Sequence, residues 1–210
     1  RLAAAQAKLV ERVQQEIDAL QVETDGRGWR AKAYLYCVEV ICPESGWSVP
    51  VLPTLVVSAS KFVVVCLIPI EKDKRYEIRV KYCKDKNEMG LLDTPTVDGG
   101  YLIHSPQQGQ NYRSKISSIR GDVRVGRVTT SAIRKWEKND FIPRIEDVFQ
   151  ERLYCVQWEK VAEGKSRLET EFRSVTPEDL EREGKVVDYV ASHFKEWQEK
   201  GFIPDMVIEK

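Results

Sequence analysis

The residues most able to do chemistry begin with Cys42-Pro43-Glu44-Ser45-Gly46, the outline of a zinc knuckle in which a tight turn presents two thiolates to one ion. Position 45, however, holds serine. A matching knuckle would have to come from His104-Ser105-Pro106, which supplies at most one ligand, with any further thiolate drawn from Cys66 or Cys83. Two ligands do not complete a tetrahedral structural site, so the motif reads as a turn that keeps its shape without metal. Neither histidine, His104 or His193, has a Gly-x-Ser-x-Gly elbow or a Cys-Gly neighbourhood beside it, and His193 reads as a solvated helix residue. Acids such as Asp147 and Glu151 are scattered without a spacing that would make a hydrolase. Gly99-Gly100 lacks the third glycine and the following helix of a nucleotide-binding turn. No catalytic, metal or cofactor site is complete in this reading.

One local charge asymmetry remains. Arg113, Lys115, Arg120, Arg124, Arg127, Arg134, Lys135 and Lys138 are opposed within their own stretch only by Asp122 and Glu137. Such a run can neutralise backbone phosphates and give salt-dependent affinity, with Tyr112 and Trp136 as candidate stacking partners for bases. The same run also fits a solvated face paired with acids from elsewhere in the chain. Trp136 and Trp158 suit a core or an interface better than an open platform.

The elements that must position these residues are legible in part. Leu2, Ala5, Leu9, Val13, Ile17 and Leu20 recur at helical spacing and predict a helix ending before Asp25-Gly26. Tyr34 to Ile41 is apolar on both alternating faces, the pattern of a central strand. Phe62 to Ile68 and Tyr76 to Tyr82 flank the charged turn Glu71 to Lys74 and predict a hairpin with one wet face. Brief strands are expected at Tyr101 to Ile103 and Tyr112 to Ile119, and an antiparallel pair at Leu153 to Trp158 and Leu168 to Phe172. Thr176-Pro177-Glu178-Asp179 is a capping box opening a helix over Pro177 to Lys200, closed by Gly201. The fold class is therefore α+β: a mainly antiparallel sheet flanked by a long N-terminal and a long C-terminal helix, as one unit over residues 1–210 with 87–138 as a candidate sub-lobe.

Composition narrows the setting. The 33 Lys and Arg residues cancel the 33 Asp and Glu residues, which argues against a uniformly basic coat. Five scattered cysteines, three of them in apolar runs, fit reduced thiols in the cytoplasm. No apolar run approaches the roughly 20 residues of a membrane span. Arg1 stands already inside a helical pattern, so the chain reads as part of a longer polypeptide.

Several stretches taken together carry a resemblance. Ala33-Tyr34-Leu35-Tyr36 leads to Cys42-Pro43-Glu44-Ser45-Gly46-Trp47-Ser48-Val49-Pro50, followed by Ile119-Arg120-Gly121-Asp122. Next come Trp136-Glu137-Lys138-Asn139-Asp140-Phe141-Ile142-Pro143-Arg144 and Asp147-Val148-Phe149-Gln150-Glu151-Arg152. Leu153-Tyr154-Cys155, Thr176-Pro177-Glu178-Asp179-Leu180, Trp197-Gln198 and Gly201-Phe202-Ile203-Pro204 complete the series. In this order, over nearly the whole chain, it resembles the adenine-specific DNA methylases with a zinc-ribbon insertion, many of them linked to antiphage defence. The resemblance implies a segment between the methyl-donor-binding motif and the catalytic Asp/Asn-Pro-Pro-Tyr/Phe motif, neither of which occurs here. It implies S-adenosylmethionine as cofactor of the full-length protein and none in this segment. Relatives often carry Cys-Pro-x-Cys-Gly at both ends of the insertion; with Ser45 and the His104 region in their place, zinc is not carried over. The expected role is an accessory or target-recognition region, its partners the rest of the methylase chain and DNA. The rival is a protein-interaction module of an antiphage defence complex that makes no DNA contact.

Overall fold

A computed structural model of the chain describes residues 2–125, 128–161 and 168–206. The helices are α1 (Leu2–Leu20), α2 (Lys86–Leu92), α3 (Ile116–Ile119) and α4 (Pro177–Glu199). The strands are β1 (Arg30–Ile41), β2 (Ser48–Val51), β3 (Val56–Ser58), β4 (Val63–Ile70), β5 (Arg75–Tyr82), β6 (Val97–Asp98), β7 (Tyr101–His104), β8 (Tyr112–Lys115), β9 (Val123–Val125), β10 (Val128–Thr130), β11 (Gln150–Val161) and β12 (Leu168–Ser174). The fold is α+β and mainly antiparallel, with the long helix α1 towards the N-terminal and α4 towards the C-terminal end of the sequence. Two compact units are distinguishable, Arg1–Leu35 with Cys155–Ile203, and Tyr36–Tyr154 with Pro204–Lys210. The 87–138 stretch lies wholly within the second.

In the first unit the strand order is β12-β11-β1. β11 and β12 pair antiparallel from Cys155↔Ser174 to Val161↔Leu168. Helix α4 opens on the expected capping box: Thr176 accepts from the Asp179 amide, and Asp179 accepts in return from the Thr176 amide at 2.8 Å. Pro177 occupies the first turn, where its missing N–H costs no hydrogen bond. Helix α1 forms as its spacing predicts, yet none of its residues is buried.

The second unit holds the main core. Its strand order is β1-β2-β5-β4-β3, beside a separate β6-β7-β8 sheet and a β9-β10 hairpin. The β4–β5 hairpin runs in unbroken register from Val63↔Tyr82 to Ile70↔Arg75, turning on a single 3-10 turn at Glu71–Asp73. Val40, Cys42, Trp47, Val49, Tyr76 and Leu102 form one apolar cluster, and Cys37, Leu52, Leu55, Val65 and Ile78 another. Full burial of each Val, Leu or Ile side chain among them contributes about 1.5–3 kcal/mol.

Two sequence expectations change here. Tyr112 to Ile119 is not one strand: β8 stops at Lys115, and α3 turns Ile116 and Ile119 onto the core around Leu102. Strand β1 is not apolar on both faces in effect, since Tyr36 and Val38 are exposed while Glu39 is buried. The reason is pairing: Arg75 grips Glu39 through three hydrogen bonds of 2.7–3.2 Å. Arg152 adds a further bond to Glu39 and donates to the Tyr76 carbonyl at 2.7 Å.

Candidate functional site

The Cys42 turn is built like a knuckle. The Gly46 amide donates to the Cys42 carbonyl at 2.8 Å and the Cys42 amide to the Trp47 carbonyl at 2.8 Å, closing the loop between β1 and β2. Burial works to raise the Cys42 thiol, but the Ser45 and Ser114 hydroxyls and the amides of Ser45 and Glu44 hold it below its ordinary value. Ser45 then meets the second half of the motif: its Oγ lies 3.0 Å from His104 Nε2, on β7. His104 Nδ1 lies 3.0 Å from the Tyr76 hydroxyl, and Tyr112 stacks on the imidazole at 5.2 Å. Burial, partly opposed by Glu44, pushes His104 below its ordinary value, so the ring is neutral near pH 7. Burial raises the Tyr76 phenol to about 12, with Cys42 adding to the effect.

This donor set does not fit tetrahedral zinc. The serine that replaces the second thiolate bonds directly to the imidazole nitrogen that would bind metal, and the other ring nitrogen faces Tyr76. Cys42 itself lies 3.5 Å from Ser114 Oγ, whose hydroxyl donates to Glu44 at 2.8 Å. Cys83 belongs to a different cluster, with Val64 and Met89, against which Cys66 packs. No three His, Cys, Asp or Glu side chains are gathered around a point among the described residues. The contacts instead tie the turn to the β7–β8 hairpin through hydrogen bonds. Ser45 and His104 are as close as a nucleophile and its base, but the Ser45 hydroxyl also accepts the Trp47 amide at 3.2 Å, and the ring is oriented by a phenol rather than a carboxylate. A cavity of about 370 Å³ lies against Tyr76, Thr96, Ile103 and His104.

The predicted basic residues fall into distinct settings. Arg113 and Lys115 stand two apart on β8 and therefore share one face. Register places Tyr101 opposite Lys115 and Ile103 opposite Arg113. The Arg113 guanidinium carbon lies 3.6 Å from the centre of the Tyr101 ring, and Lys115 Nζ lies 6.0 Å from it. Neither cation pairs with a carboxylate among the described residues, and both are exposed. Asp98, opposite Tyr101 across the β6–β7 turn, forms no ion pair among the described residues.

The others are engaged differently. Arg120 lies 3.6 Å from Asp122, and Arg124 sits on the exposed β9 strand. Arg127 lies outside the described residues. Arg134 turns inward, bonding both Asp147 oxygens at 2.8 and 2.6 Å and also Asp140. Arg144 reinforces Asp140 at 2.9 Å. Lys135 is exposed. Trp136 lines a small cavity with Ile133, Arg134 and Phe149, and Tyr112 is taken up by His104. The aromatic ring that accompanies exposed cations is thus Tyr101. Its placement depends on Gly99 and Gly100, both at positive φ (53° and 82°), which make the two-residue turn joining Asp98 to Tyr101.

In the first unit, Trp158 is 2% exposed, with the guanidinium carbons of Arg173 and Arg182 at 5.3 and 5.2 Å from its ring. Arg173 also lies 4.6 Å from the Trp29 ring and pairs with Asp25. Asp25, Glu178 and Asp179 balance Arg27, Arg173 and Arg182 around the cavity there, so it carries no excess of either charge. His193 is half-buried rather than freely solvated, tilted against Tyr189 at 4.3 Å and stacked on Trp197 at 5.6 Å along α4. No family model matches the chain, and neither a curated protein nor a solved structure matches it.

Proposed function

We propose that this chain is the accessory, target-recognition region of an S-adenosylmethionine-dependent, adenine-specific DNA methyltransferase, holding nucleic acid while the cofactor and catalytic motifs reside elsewhere in the polypeptide. The carrying observation is the face of the β6-β7-β8 sheet, where Arg113 and Lys115 flank Tyr101 without a carboxylate partner among the described residues. Cations without a carboxylate partner on a sheet face are available to phosphates, and the counterions released make binding salt-dependent. The sequence resemblance supplies the methylase setting. Five free thiols fit a cytoplasmic enzyme. No helix among the described residues is long and apolar enough to cross a membrane.

The test is fluorescence anisotropy of labelled duplex DNA with the chain at two salt concentrations, against a variant with Arg113, Lys115 and Arg120 changed to Ala. Binding should weaken with salt and weaken again in the variant. Affinity that is absent at low salt for duplex and single strand alike, or indifferent to the three changes, contradicts the reading. Titration of S-adenosylmethionine into this chain alone should give no specific heat of binding.

One observation favours a second reading, that of a protein-interaction module in a defence complex. Helix α1 leaves Leu2, Leu9 and Val10 exposed at 75%, 63% and 67%, an apolar stripe of the kind that docks on a protein. This reading predicts no DNA binding, together with loss of association with the rest of the enzyme when Leu9 and Val13 become Lys.

A further inference from the structure

The Tyr101–Arg113 pair differs from an ordinary phosphate contact. At 3.6 Å from the ring centre the guanidinium carbon lies over the tyrosine face, the contact a planar, delocalised cation is suited to make. Arg113 as a whole is exposed, and no carboxylate among the described residues pairs with it. Lys115 stands beside the same ring, a point charge on a flexible stem. An exposed planar cation seated on a ring and a neighbouring ammonium match a nucleotide in two parts, the base and its phosphate. In an intact duplex both faces of each base are covered by their neighbours, so such a platform has nothing to stack on. In an unpaired strand a base face is free.

Resting on the nucleic-acid reading above, we infer that the Tyr101–Arg113 stack is a platform for an unpaired nucleobase, with Lys115 on the adjoining phosphate, so that the chain prefers single-stranded or locally opened DNA to closed duplex. The side chains divide the work: Tyr101 holds the plane, Arg113 presents it, and Lys115 supplies charge without shape. Replacing Arg113 by Lys therefore keeps the charge and removes the stack.

The test compares 2-aminopurine-labelled single strands with the matching duplex, using the wild-type chain, Arg113→Lys and Tyr101→Leu. Circular dichroism melting checks that each variant is folded. The wild-type chain should bind the single strand more tightly and quench its 2-aminopurine. Arg113→Lys should weaken single-strand binding about tenfold and abolish the quench, while its salt dependence stays as in the wild type. Tyr101→Leu should lose the quench as well. Equal affinity for the two DNA forms, or quenching that survives Arg113→Lys, overturns the platform while leaving salt-dependent binding intact. Loss of binding to both forms at low salt instead overturns the nucleic-acid reading beneath it.

Discussion

Arg113 and Arg134 belong to one basic stretch and do opposite things. Arg134 is enclosed by Asp140 and Asp147, so its charge holds an irregular segment of the second unit together. Arg113 rests on an aromatic ring and keeps its charge toward solvent. The same split recurs between Arg152, half-buried against the buried Glu39, and Lys115, exposed on β8. A run of basic residues therefore does not locate an interface. Under the proposed function, the cations that matter are those the fold leaves without acids among the described residues.

The largest effect is expected at the buried Glu39 carboxylate. Glu39→Ala strands Arg75 and Arg152 beside a buried position and should cost about 3 kcal/mol in denaturant unfolding; a loss near zero would mean that the network is not what holds these strands. Arg134→Met should lower the melting temperature by less, with DNA affinity per folded molecule unchanged. It also alters the acid limb of stability. The Glu137 amide, with Arg134 and Arg144, holds the Asp140 carboxyl down to about 2, against an ordinary value of 3.8. A depressed folded value means that this stabilisation is complete above the unfolded value and is lost as pH falls through the folded one. The wild-type melting temperature should accordingly drop between about pH 4 and 2, and more shallowly in Arg134→Met.

Smaller effects follow at the knuckle. Ser45→Ala leaves His104 Nε2 buried without its partner and should cost about 1.5 kcal/mol. His104, with its folded value depressed, adds stability that is present above its unfolded value and fades as pH falls below about 6.5; His104→Gln should flatten that slope in thermal melts. Smallest of all on stability is Arg113→Ala, for which no change in melting temperature is expected.

What could be read in advance was what is local. The α4 capping box, the charged β4–β5 turn and the spacing in α1 are each contained within a few residues, and the structure places all three where the sequence does. The settings of Arg134 and Glu39 were not legible, because their partners come from segments with no periodic signal or from distant strands. Tyr101 was missed for a related reason. Its meeting with Arg113 depends on the register of β7 with β8 and on the Gly99-Gly100 turn, a pair of residues more easily taken for a chain break than for a hairpin. The apposition of Ser45 and His104 had a sequence signal, the two halves of the knuckle, and the structure joins those halves through a hydrogen bond.

The most direct test is to measure the slope of log affinity against log salt for DNA binding by Lys115→Ala and Arg134→Met side by side. The account predicts a slope shallower by about 1 in the first and a wild-type slope in the second. Equal slopes in the two variants, or a change confined to Arg134→Met, would contradict it.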